Sequence, residues 1–159
     1  MPRRKKVGFK REVGVDPRFG SELIQRFINV VMWRGKKNIA RKIVYEALDE
    51  LAKKAGSQDK AIEIFRKAYD QLIPAVEVRS RRVGGSVYQI PRPVESSRAR
   101  ILAFRWLITA AAARPDKTMG KRIARELVDA LDGRGGAVKK KLDVHRMAEA
   151  NRAFSHYAW

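Results

Sequence analysis

The hydrophobic positions of this chain follow two periods. Over most of its length apolar residues return every three or four positions, the spacing of one helix face. Six such segments are visible, and Gly or Pro marks most of their boundaries. The first, Ser21 to Met32, is apolar over a wide arc (Leu23, Ile24, Phe27, Ile28, Val31) and reads as a central core helix. The second, Asn38 to Lys54, carries Ala40, Ile43, Val44, Ala47, Leu48 and Leu51 and ends at Gly56. The third, Ser57 to Leu72, has Ser57 in the N-cap position, a stripe of Ala61, Ile64, Phe65, Ala68 and Leu72, and a stop at Pro74. The fourth, Ser97 to Ala113, turns Leu102, Ala103, Trp106 and Ala110 inward and Arg98 and Arg105 outward. The fifth, Thr118 to Leu131, shows Met119, Ile123, Leu127 and Ala130. Gly133, Gly135 and Gly136 read as a flexible linker to a short last helix, Asp143 to Phe154, capped by Asp143. Short connections predict that sequential helices pack as neighbours.

Between the third and fourth helices the period changes to two. Residues 75–91 read AVEVRSRRVGGSVYQIP. Val76, Val78 and Ser80 share one face of a first strand, and Glu77, Arg79 and Arg81 share the other. Ser86, Tyr88 and Ile90 alternate with Val87 and Gln89 in a second strand. Gly84 and Gly85 supply the positive φ angles of a tight hairpin turn. Pro91 and Pro93 predict an extended link onward. Arms of this length reach about 25 Å at ~3.3 Å per residue. A lone ribbon is marginal in water. It either lies flat on the helices or projects as a probe, and Arg79, Arg81 and Arg82 near its tip favour projection. The fold expected is mainly α: a single domain of six helices with one protruding two-stranded β-ribbon. Residues 1–18 lack periodicity and read as a basic extended N-terminal arm, with the domain spanning 19–159.

Charge narrows the function. The 159 residues hold 36 Lys and Arg against 17 Asp and Glu, a net charge of +19. Such a chain repels itself and calls for a polyanionic partner, most commonly nucleic acid. The charge is clustered. Residues 1–18 carry seven basic and two acidic residues, and residues 75–100 carry six and two, while the third helix is balanced. Arg34, Lys36 and Lys37 surround Gly35 in the first interhelical loop, and Lys139, Lys140 and Lys141 precede the predicted last helix. Guanidinium forks match phosphates bidentately, and loops bring side chains and backbone N–H groups to phosphates together.

Other chemistry is excluded. With no Cys there is no disulfide, thiolate nucleophile or cysteine zinc site. GKKN at residues 35–38 lacks the rest of a phosphate-binding loop. Asp143 and His145 splay apart on a helix and make no metal pair; neither metal nor cofactor is expected. No Ser/His/Asp arrangement or tuned carboxylate pair suggests catalysis. No apolar run reaches the ~18 residues of a membrane span, so a soluble intracellular protein is expected. His145 reads as a surface or RNA-facing side chain. Trp106 reads as core, Trp33 as core or a base-stacking surface, and Trp159 as part of an aromatic tail that docks on the body or on another protein.

Three stretches carry a resemblance. DPRFGSELIQRFINVVMWRGKKNIARKIVYEAL (residues 16–48), PAVEVRSRRVGGSVYQIP (74–91) and AVKKKLDVHRMAEANRAFSHYAW (137–159) closely resemble the family of bacterial small-subunit ribosomal protein seven, in the same order. The resemblance implies a helical domain with a protruding ribbon and a non-enzymatic, cytoplasmic role in the small ribosomal subunit. It implies direct binding to the three-prime major domain of small-subunit ribosomal RNA and a start to assembly of the subunit head. It implies a ribbon near messenger and transfer RNA at the exit site, a C-terminal part beside ribosomal protein eleven, and no homo-oligomer. The RNA contacts carried over are Arg3, Arg4, Lys10, Arg34, Lys36, Lys37, Arg79, Arg81 and Arg82. Met119 lies in a region the family uses for RNA, although Gly120 and Lys121 depart from its pattern. Two other classes compete: a histone-like DNA-packaging protein, which shares a basic ribbon but usually dimerises, and a binder of anionic membranes.

Overall fold

A computed structural model describes residues 12–157; Arg3, Arg4, Lys10 and Trp159 lie outside the described residues. The chain runs α1 (Glu22–Val31), α2 (Lys37–Ala55), α3 (Gln58–Leu72), β1 (Val76–Val83), β2 (Ser86–Pro93), α4 (Ser96–Ala112), α5 (Met119–Leu131), α6 (Gly136–Ala150) and a 3-10 helix (Arg152–Tyr157). This is the mainly α fold with one two-stranded ribbon that the two periods predict. Ser57 caps α3 as expected, its Oγ accepting the Lys60 N–H at 3.3 Å.

The central helix is α5, not α1. α5 packs closely against α2, α3, α4 and α6, whereas the backbone of α1 comes close to α2 and α4 and α1 reaches α3 through Phe27. Small residues explain this: Ala124 and Ala130 are buried beside Ile123 and Leu127 and let neighbours approach closely. Gly120 shows the limit, since a Cβ there would stand 2.8 Å from the Glu46 Cβ of α2. Phe27, Phe65, Tyr69 and Phe104 form one aromatic cluster joining α1, α3 and α4, with ring centroids 4.4–6.3 Å apart. Such contacts add roughly 0.5–1.5 kcal/mol each beyond area burial. The Tyr69 hydroxyl donates to the Arg100 carbonyl at 3.0 Å, and burial pushes its pKa up to about 12.

Two predicted elements are corrected. α4 buries Ala99, Ala103, Phe104, Leu107 and Ala111, while Trp106, Leu102 and Ala110 are half-buried. Residues 101–113 are apolar on nearly every side, so spacing alone did not determine the inward face. The last helix begins at Gly136, so Lys139, Lys140 and Lys141 are helical and Asp143 is no cap. Its N-terminus is satisfied from afar: the buried Glu126 carboxylate of α5 accepts the Ala137 N–H at 2.8 Å and pairs with Arg114 at 2.6 Å. Lys141 donates to the Gln71 carbonyl at 2.6 Å, tying α6 to α3.

The end of the predicted arm is docked on the body. Asp16 is fully buried, and its Oδ2 accepts the N–H groups of Arg18 and Phe19 at 3.1 Å. Its Oδ1 accepts the Tyr45 hydroxyl at 2.7 Å, and Arg18 holds Asp49 with both guanidinium NH2 groups. Asp16 and Arg18 are therefore structural charges.

Candidate nucleic-acid interface

The ribbon is antiparallel, with Val76 opposite Pro93, Arg79 opposite Ile90 and Val83 opposite Ser86. Pro91 and Pro93 belong to β2 rather than to a link. A two-stranded ribbon has only edges, and proline is tolerated where its missing N–H would face outward. Gly84 (φ 56°) and Gly85 (φ 91°) close the turn with the positive angles expected. The ribbon is neither flat on the body nor wholly free. Its base packs on α6 and the 3-10 helix. Ile90 is buried, and the Tyr88 ring lies 4.8 Å from that of Phe154. Beyond Tyr88, Arg82, Gly84, Gly85, Ser86 and Val87 are exposed.

Of the three ribbon arginines, Arg79 belongs to the base. Its Nε donates to Glu77 Oε1 at 2.8 Å, and Arg98 of α4 donates to Glu77 Oε2 at 2.6 Å. Glu77 is only 7% exposed. Burial alone would raise its pKa, but Arg98 and Arg79 outweigh it and hold the carboxylate below its ordinary value. Both arginines stay nearly half exposed, so their outer nitrogens still face water. Arg81 and Arg82 lie nearer the turn.

From Arg98 a basic strip continues along α4. Arg98, Ile101 and Arg105 are exposed at spacings of three and four, which places them on one helix face. Beside them runs a groove of about 340 Å³ between α1 and α4, whose lining includes Arg26, Asn29, Arg100 and Ile101. A second hollow, lined by Asn29, Val30, Ile101 and Arg105, extends it toward the C-terminal end of α1. That end leads into the loop of Arg34, Gly35, Lys36 and Lys37. Arg34 adopts a positive φ of 50°, uncommon for a side chain with a Cβ. Among the described residues none of Arg34, Lys36 and Lys37 makes an ion pair. Trp33 is 76% exposed, which excludes the core reading.

α2 carries the surface further. Lys37, Arg41 and Tyr45 repeat every four residues, and Tyr45 is where Asp16 docks. The root of the arm therefore lies about 12 Å along α2 from the loop, at ~1.5 Å per residue. Ribbon base, α1/α4 groove and loop are thus linked through Arg98, Arg100 and Arg105, while Arg26 in the groove is paired with Glu22 at 2.5 Å. Arg100 lines the groove although its sequence context is that of an ordinary solvated helix cation. Met119 lies elsewhere: it is half-buried against the core and follows Thr118, whose hydroxyl donates to Glu46 Oε1 at 2.5 Å. Glu46 also fills the space over Gly120, which accounts for a glycine there. Among the described residues no cluster of His, Asp and Glu could hold a metal, and no helix is long and apolar enough to cross a membrane.

A helical body that holds cations along a ribbon, a groove and a loop defines a nucleic-acid-binding scaffold protein. The chain belongs to the Ribosomal protein S7p/S5e family, whose model matches residues 2–152. It is 55% identical to the small ribosomal subunit protein uS7 of Pseudoalteromonas translucida over 159 residues, all of both chains. It is also 55% identical to that of Chromohalobacter salexigens over 157 residues (99% of each chain) and 53% identical to that of Acidiphilium cryptum over 156 (98% of this chain, 99% of the relative). The protein is a structural component of the small ribosomal subunit, not an enzyme.

Proposed function

We propose that the chain binds small-subunit ribosomal RNA directly and organises the three-prime major domain, the subunit head. The observation that carries this reading is the continuity of the basic surface from the ribbon base through the α1/α4 groove to the loop. One rigid body holding cations at separate points clamps several RNA segments in one relative arrangement. The contacts assigned are Arg34, Lys36, Lys37, Arg79, Arg81 and Arg82, joined by Arg3, Arg4 and Lys10 of the arm. Met119 contributes an apolar flank rather than a phosphate ligand. The ribbon tip reaches toward messenger and transfer RNA at the exit site, and the C-terminal end meets ribosomal protein eleven. The protein acts as a monomer, without metal or cofactor.

If about ten phosphates are neutralised, affinity falls roughly 10³- to 10⁵-fold between about 50 and 200 mM salt. Recognition then rests on RNA shape and on unpaired bases rather than on a duplex code. Chemical footprinting of the protein on naked small-subunit ribosomal RNA tests the reading. Protection confined to the three-prime major domain is the expected result. Equal affinity for duplex DNA at physiological salt, or binding to anionic vesicles without binding to RNA, would overturn it.

A further inference from the structure

We propose that Trp33 is a stacking platform for one unpaired nucleobase of the bound RNA, a role that rests on the RNA-binding reading above. At 76% exposure its indole is the most exposed large apolar side chain among the described residues. No ring or guanidinium of the described residues packs on it. Leaving an indole in water forgoes the gain of covering it. The backbone explains how it is held out. α1 ends at Val31, and the ψ of 128° at the C-cap residue Met32 takes the chain off the helix axis. The carbonyl of Trp33 then accepts the Lys36 N–H at 3.1 Å, and that of Gly35 accepts the Lys37 N–H at 2.8 Å. Arg34 (φ 50°) and Gly35 (φ 74°) complete this hydrogen-bonded turn. The indole is thus exposed on an ordered turn, not on a tail.

The surroundings select the partner. Residues 33–37 read WRGKK, three cations and no acid. Ile39, 54% exposed, adds apolar surface in the first turn of α2. An apolar protein patch would have to desolvate three cations to reach the indole. A nucleotide supplies a flat π face and a phosphate a few ångströms apart, the pairing that single-strand binders meet with an aromatic side chain beside basic ones. A duplex offers no free face, so the base must be unpaired.

The test uses the full chain carrying Trp106→Phe and Trp159→Phe, which leaves Trp33 as the only tryptophan emitter. Titration with small-subunit ribosomal RNA should quench its fluorescence and shield it from acrylamide, and a fully paired RNA duplex should not. In the wild-type background Trp33→Ala should weaken ribosomal RNA binding roughly 5- to 100-fold. That loss should be equal at low and high salt, because no phosphate contact is removed. Trp33→Phe should restore most of the affinity. RNA that binds with full affinity while Trp33 emission and acrylamide access stay unchanged overturns the stacking role and leaves RNA binding standing. A flattened salt slope in Trp33→Ala also overturns it, since the residue would then act by placing the cations. Absence of RNA binding by the wild-type chain overturns both readings.

Discussion

The two ends of the basic surface hold their cations in opposite ways. At the ribbon base Arg79 and Arg98 converge on one buried carboxylate, Glu77. In the α1–α2 loop Arg34, Lys36 and Lys37 have no acidic partner among the described residues. The first arrangement uses charge to fix the angle of the ribbon to α4, and the second leaves charge to an outside anion. Arginine suits the first role because a planar fork can hold an acid and still present its remaining N–H groups. Lysine suits the second as a hydrated point charge. Equal formal charge therefore does different work in the two places, and the effects of mutation should separate accordingly.

The largest effect should come from the scaffold both ends share. Phe104→Ala removes a ring packed against Phe27 and Tyr69, and should lower stability by about 3–5 kcal/mol. Chemical denaturation measures this, and RNA affinity should fall at every contact together. A loss confined to one end would show that ribbon and loop are not held by one body. Next, Glu77→Ala should lower stability by about 1–2 kcal/mol, a value discounted because both arginines are nearly half exposed. RNA affinity should hold or rise, since an acid has left a basic surface. A matching loss of affinity would mean that ribbon angle matters more than charge.

The loop should behave in reverse. Lys36→Ala with Lys37→Ala should leave the melting temperature unchanged and reduce the slope of log affinity against log salt by about 2. An unchanged slope would remove the loop from the interface. The smallest effect is in pH. Glu77 is held below its ordinary pKa, so its contribution is complete above about pH 4.5 and lost as pH falls through its folded value. His145 Nε2 accepts the Ala75 N–H at 3.3 Å, and burial, then Lys141, lower its pKa. Its contribution is likewise complete above about pH 6.5 and fades on acidification. Acid should therefore loosen the ribbon base in two steps and leave the loop, residues 33–37, untouched. Amide exchange at β1 and α2 would separate the two, and equal loosening at both would end the distinction.

Much of this was legible in the residues. The stripes of α2 and α3 read cleanly because each has one apolar face and one charged face. The ribbon read cleanly because its period changes and two glycines mark the turn. α4 did not, since residues 101–113 are apolar nearly all round and any face could have been the buried one. α6 did not either. Its cap is Glu126, 11 residues before Ala137, so a local search found Asp143 instead. Arg79 counted as a tip cation until the register placed it at the base.

Charge, period and turn chemistry are local properties, and they were enough to establish a helical body, one hairpin and a polyanionic partner. They left open which helix is central, which cations are already neutralised and whether Trp33 is covered. Those depend on groups far apart in sequence meeting in space: Glu77 with Arg98, Glu126 with Ala137, Ile101 with Asn29. Burial and pairing are properties of such meetings, and no local pattern encodes them.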